Sequence, residues 1–172
     1  MLRQRLRRGG VIARVQSAGL LHGGSPASAH SVDLLRERGL DLSGHRSQTL
    51  TADLLRGSSL VVGMAREHVR EAVVMTPDAF PRTFTLKELV RRADEVGPRR
   101  AGEAFEDWLR RVHGHRSPRD LMGASSADDV RDPIGQPRGA YVTMVGELDD
   151  LIGRFFWLAW GAAEGCETEV AS

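Results

Sequence analysis

The sequence predicts an α/β domain, a three-layer sandwich around a small parallel sheet. Three observations carry that expectation. Leu60-Val61-Val62-Gly63-Met64 is a continuous apolar run, the pattern of a strand covered on both faces. Strand-like runs alternate along the chain with segments of helical spacing. The closing segment, Tyr141 to about Trp160, sets Met144, Leu148, Leu151, Ile152 and Phe155 on one helical stripe.

The elements follow in order. Leu2 and Leu6 sit at helical spacing among arginines, and Gly9-Gly10 ends that helix. Val11 to Ser17, with β-branched Val11, Ile12 and Val15, reads as a short strand. Gly19 to Ser28 is a Gly/Ser/Pro loop. A helix is expected from Ser31 to Arg38, stopped by Gly39, then a polar loop from Asp41 to Leu50. Thr51 is a good N-cap for a short helix through Leu55. The Leu60–Met64 strand leads into a helix from Arg66 to Val74. Phe80 to Phe84 holds a weak strand, and Thr85 opens a helix through Ala93. Ala104 to Val112 is amphipathic, with Phe105, Trp108, Leu109 and Val112 on one side. His113 to Gln136 reads as a long polar loop. One domain over residues 1–165 with a tail at 166–172 accounts for the 172 residues.

Composition narrows the function. Lys+Arg 24 against Asp+Glu 23 gives a net charge of +1, so nothing points to nucleic acid or to an anionic membrane as a general partner. No apolar run reaches the length a membrane span needs. Arg14 and Gln16 interrupt the stretch that a signal peptide would require to be apolar, so a cytoplasmic location is expected. Cys166 is the single cysteine, which excludes an intrachain disulfide framework or zinc ribbon.

Few residues promise chemistry. Asp132-Pro133 holds a carboxylate in extended backbone on a loop, where it can act as a general acid or simply form a turn. Ser17-Ala18-Gly19 ends the first strand with small residues that allow close approach. His45, in Ser43-Gly44-His45-Arg46-Ser47, is a hydrogen-bonding candidate or an exposed loop histidine. His113-Gly114-His115 has no third metal ligand nearby and reads as a solvated loop. Phe155, Phe156, Trp157, Leu158 and Trp160 point around the last helix, so not all face one core; a homodimer contact is one use for the remainder.

In order, these pieces resemble the low-molecular-weight protein tyrosine phosphatase family. The matching segments are Val15 to Gly19, Gly24 to Ser28, Arg36 to Ser47, and Leu60 to Met64 with His68 following. Asp132-Pro133-Ile134-Gly135 and the closing helix complete them. The resemblance implies a phosphotyrosine phosphatase I-like fold, with four parallel strands in the order 2-1-3-4. It implies hydrolysis of a phosphate monoester through a cysteinyl-phosphate, with a phosphotyrosine protein or a small aryl phosphate as substrate and no metal or organic cofactor. A thiolate in a Cys-X5-Arg loop attacks phosphorus, and an aspartate of Asp-Pro protonates the leaving group and then activates water. Asp132 matches that acid; Ser17 and His45 match two residues that brace the phosphate loop.

The sequence departs from this pattern at its front. It contains no Cys-X5-Arg, since Cys166 is followed by Glu167-Thr168-Glu169-Val170-Ala171-Ser172. No nucleophile is assigned. The expected first strand, phosphate loop and start of the first helix, about 15–25 residues, are not found, and Met1 falls inside a helix. A misassigned start is therefore expected, with the chain as written inactive. The alternatives are a degenerate, non-catalytic binding or regulatory module, or a relative of the arsenate-reducing branch, whose further redox cysteines are lacking. Ile134 also stands where the family often carries an aromatic residue.

Overall fold

The computed structural model describes residues 1–122 and 126–161. Seven helices and two strands carry the fold among them: α1 Leu2–Arg8, α2 Ala29–Arg36, α3 Ala52–Arg56, β1 Val61–Gly63, α4 Arg66–Met75, β2 Thr83–Thr85, α5 Leu86–Val96, α6 Phe105–His113 and α7 Arg138–Phe156. Short 3₁₀ turns occupy Pro77–Arg82 and Pro118–Leu121, and a π-helical turn, Trp157–Gly161, ends α7.

Local chemistry explains several boundaries. The Thr51 hydroxyl accepts from the Leu54 N–H and the Thr85 hydroxyl from the Glu88 N–H, so each threonine caps the helix it precedes. Ser28 caps α2 in the same way, accepting from the Ser31 N–H, which starts that helix two residues before its expected place. Pro77 and Pro81 hold the chain in a 3₁₀ turn, so the expected strand at Phe80–Phe84 shrinks to Thr83–Thr85.

β1 and β2 pair in parallel, Val61 opposite Thr83, Val62 opposite Phe84 and Gly63 opposite Thr85. Helices cover both faces. Leu60, Val62, Met64 and Phe84 pack with α5, α6 and the end of α7 around Trp108, which is fully buried. On the opposite face Gly63 lies against α4, so close that a Cβ there would sit 3.1 Å from Val69 Cγ2. The expected small parallel sheet between helical layers is thus present.

One expected strand does not form. Val11 to Ser17 runs extended but unpaired, and the Ile12 side chain is fully exposed. The segment has the right residues and no partner strand among the described residues, and a lone strand leaves its backbone groups to water. Pairing begins only after it, at the bridges Gly19–Thr49 and Pro26–Arg46. The sheet therefore has two strands, short of the number the resemblance implies.

The described residues at the start of the His113 to Gln136 stretch pack into the protein rather than forming a solvated loop. His113 ends α6 with its ring edge against Phe80, ring centroids 5.2 Å apart, and its Nε2 is buried. Arg116 is buried, with its guanidinium over the Phe80 and Phe84 rings at 4.6 and 4.1 Å. At the end of α7 the aromatic residues divide as expected. Phe155 and Leu158 are buried, Trp160 stacks on Phe105 at 5.3 Å, and Trp157 is exposed beneath Arg154. Residues 166–172, including Cys166, lie outside the described residues.

Candidate active site

The carboxyl end of β1 organises the site. A cleft of about 410 Å³ opens beside β1 and is lined there by Val62, Gly63, Met64 and His68 and on the opposite wall by Ser17, Gly19 and Gln48. Gly63 is needed because His68 and α4 crowd it; a Cβ would meet His68 Cβ at 3.0 Å. Leu60, Val61, Val62 and Met64, apolar enough for full burial, are only half-buried because they face this cleft.

The wall carrying Ser17 is tied down by the segment that carries His45. Gln48 Nε2 donates to the Ser17 carbonyl at 2.7 Å. The Gly19 N–H donates to Gln48 O at 2.9 Å, and the Leu50 N–H to Gly19 O at 2.8 Å. The Ser47 N–H donates to Ser25 O at 2.9 Å, and the Gly24 N–H to Ser47 O at 2.8 Å. Ser17 lines the cleft. His45 does not; it is half-buried, three residues before Gln48, with its carbonyl accepting from Arg46 Nη1 at 2.7 Å.

Asp132 reaches the same end of the sheet by another route. The Val130 N–H donates to Met64 O at 2.7 Å, pinning its loop to the residue that follows β1. Asp129 Oδ1 accepts from the Arg66 N–H at 2.8 Å, satisfying one free amide at the start of α4. Three residues after Asp129, Asp132 is exposed; its Oδ1 accepts from the Ile134 N–H at 3.0 Å in a turn across the buried Pro133. Asp132 is not part of the cleft lining. The structure so brings Ser17 into the cleft and anchors the Asp132 loop at its β1 end, and it leaves His45 outside. An exposed carboxylate on an anchored loop is suited to proton transfer with a group held at the cleft mouth.

Gln48 and Asp129 are the residues sequence reasoning missed. Each acts through a contact distant in the chain.

Comparison with known proteins agrees with this architecture. The sequence pattern of the family described as low molecular weight phosphotyrosine protein phosphatase matches residues 1–107. The low molecular weight protein-tyrosine-phosphatase Etp of Escherichia coli (strain K12) is 32% identical over 96 residues, 54% of this chain and 64% of that protein. The chain thus matches just under two thirds of that relative's length. A protein-arginine-phosphatase of Geobacillus stearothermophilus is 28% identical over 141 residues, 81% of this chain and 72% of that protein. Among solved structures, a low molecular weight protein tyrosine phosphatase from T. tengcongensis superposes with a TM-score of 0.65 at 28% identity, covering 90% of this chain and 84% of that one. The match to the family covers more than half of the sequence, and the fold agrees. This chain belongs to the low molecular weight phosphotyrosine protein phosphatase family.

Proposed function

We propose that this chain is the scaffold and general-acid part of a phosphatase acting on phosphorylated protein side chains or small aryl phosphates, with Asp132 as the proton donor. The Val130–Met64 hydrogen bond carries this reading, because it fixes the Asp132 loop at the carboxyl end of a parallel strand, where ligands of such sheets bind. In the reaction a cysteine thiolate supplied from outside these residues attacks phosphorus; as the S–P bond forms and the P–O bond breaks, the Asp132 carboxylic acid gives its proton to the leaving oxygen. The resulting carboxylate then takes a proton from the water that attacks the phosphorus of the cysteinyl-phosphate, and the S–P bond breaks to release phosphate and the thiolate. Ser17 and His45 support the phosphate-binding loop, Ser17 from the cleft wall and His45 through the segment that Gln48 ties to it.

The nucleophile is not among these 172 residues. They contain no Cys-X5-Arg, and a thiolate is the group that forms and attacks readily near neutral pH. By themselves they are inert toward phosphate esters. The same reading takes residues 1–165 as one phosphatase-like domain, requires no metal or organic cofactor, and places it in the cytoplasm. No helix among the described residues is long and apolar enough to cross a membrane.

Phosphoarginine is a second substrate class, supported by the relative named as a protein-arginine-phosphatase, which aligns over 81% of this chain. The test is hydrolysis of phosphotyrosine and phosphoarginine peptides by the protein isolated from its own source cells, with and without Asp132→Asn. A loss of about 10²–10⁴-fold in kcat with Asp132→Asn supports the role of Asp132. Unchanged turnover in that variant overturns it. A native product that hydrolyses neither peptide favours the non-catalytic binding module.

A further inference from the structure

Among the described residues the Asp132 carboxylate hydrogen-bonds only within its own turn, to the Ile134 N–H. Its position is therefore set by the backbone of the loop that carries it. That loop enters through a turn, the Asp129 N–H donating to Ser126 O at 3.0 Å, which sends two adjacent carboxylates to different helices. Asp129 caps the start of α4 through the Arg66 N–H at 2.8 Å. Asp128 goes to α5, where its Oδ2 accepts from Arg91 Nη2 at 3.2 Å. α5 is a firm support. Leu86, Leu89, Val90 and Ala93 bury its inner side, and its Glu88 is held by the buried Arg116. Lys87, one turn before Arg91, is itself fixed to Glu147 of α7 at 2.7 Å. The Asp128 side chain is 23% exposed, so the Arg91–Asp128 pair is partly shielded from water.

We propose that Arg91 is a positioning residue for the general acid: through Asp128 it registers the Asp132 loop against α5. The inference rests on the phosphatase reading and adds a residue to it. Asp128 lies two residues before Val130, whose N–H donates to Met64 O at 2.7 Å. The ion pair with α5 and the cap on α4 hold the two sides of the turn that leads into that bond. With Arg91 removed, one side is free, the Val130–Met64 bond opens more often, and Asp132 spends less time at the sheet end. Glu95 also approaches the Arg91 guanidinium, at 3.7 Å, but it lies within α5 and adds nothing to the loop. Arg91 moves no proton itself and acts only through the backbone it anchors. A half-exposed pair of this kind is weak, so its removal changes rates severalfold rather than by orders of magnitude.

Two measurements test it. In the 172-residue chain, hydrogen exchange at the Val130 amide is expected to be about two- to fivefold faster with Arg91→Ala than in the parent. Added salt narrows the difference, because it screens the pair in the parent. Asp128→Arg alone also speeds exchange, and adding Arg91→Asp to it slows exchange again; Glu95→Gln leaves the rate unchanged. In the protein isolated from its own source cells, kcat/KM is compared for phenyl phosphate and a dinitrophenyl phosphate. Phenolate needs a proton as it leaves, whereas dinitrophenolate leaves without one. Arg91→Ala is therefore expected to lower kcat/KM for phenyl phosphate by about two- to fivefold and to leave that for the dinitrophenyl ester unchanged. An equal loss with both esters is the signature of general destabilisation and overturns the positioning role, as does unchanged exchange at Val130. A parent protein that hydrolyses neither ester overturns the phosphatase reading instead, and exchange at Val130 then decides alone whether Arg91 holds the loop.

Discussion

The Val130 N–H donates to the Met64 carbonyl at 2.7 Å, joining residues far apart in the chain at the carboxyl end of β1. This bond and its neighbour, from the Arg66 N–H to Asp129 Oδ1 at 2.8 Å, hold the Asp-Pro loop against the sheet. Asp129→Ala removes the second contact and uncaps α4. A loss of about 1 kcal/mol is expected, a drop of a few degrees in thermal midpoint, checked by calorimetry. Hydrogen exchange at Ile134 should rise in the same variant, because the loop then keeps the Val130 backbone bond and the Arg91–Asp128 pair but loses its tie to the start of α4.

Arg116 is the strongest buried charge in the described fold. Its Nε and Nη2 donate to the Glu88 carboxylate at 2.8 and 3.2 Å, and Nη2 also donates to Thr83 O at 2.8 Å. Burial pushes the Arg116 pKa down and the Glu88 carboxylate opposes that shift. Glu88→Gln leaves the guanidinium buried without its counter-charge, and a loss of about 3 kcal/mol is expected. Chemical denaturation gives the value. A change smaller than a surface pair is worth would show that Glu88 does not compensate Arg116.

His113 makes stability depend on pH. Burial first, then the Arg116 charge, lowers its pKa below the usual imidazole range, and its Nε2 finds no partner. Arg92 and Glu88 face it as well, the first lowering and the second raising the pKa. The unfolded chain therefore binds this proton more readily than the folded one. The stability associated with neutral His113 is complete above the ordinary histidine pKa of about 6.5 and is lost as pH falls below it toward the lowered folded value. His113→Gln should flatten the thermal midpoint between about pH 7 and pH 5. A slope identical to that of the parent chain would assign the dependence to other groups.

These positions show what could be read from sequence and what could not. The Thr51 and Thr85 caps, the Gly9-Gly10 stop and the Leu60–Met64 run are local signals, and the structure places elements at each. Val11 to Ser17 carries an equally good local signal and forms no strand, because a strand is completed by a neighbour rather than by its own residues. Arg116 sits in a polar run and reads as solvated; its burial depends on Glu88, 28 residues away. The site divides the same way. Ser17 ends a recognisable apolar segment and does line the cleft. The anchoring of Asp132 by Val130 and the clasp of Gln48 on Ser17 are long-range contacts that no local pattern announces.

The central claim is that these residues hold the acid and the framework of a phosphatase without its nucleophile. The most direct measurement is aryl-phosphate turnover by the purified 172-residue chain and its Asp132→Asn variant, followed at saturating substrate. The account predicts no release of phosphate above the buffer rate by either. Steady turnover by the parent chain that disappears with Asp132→Asn would contradict it, because a complete reaction centre would then exist without a Cys-X5-Arg loop.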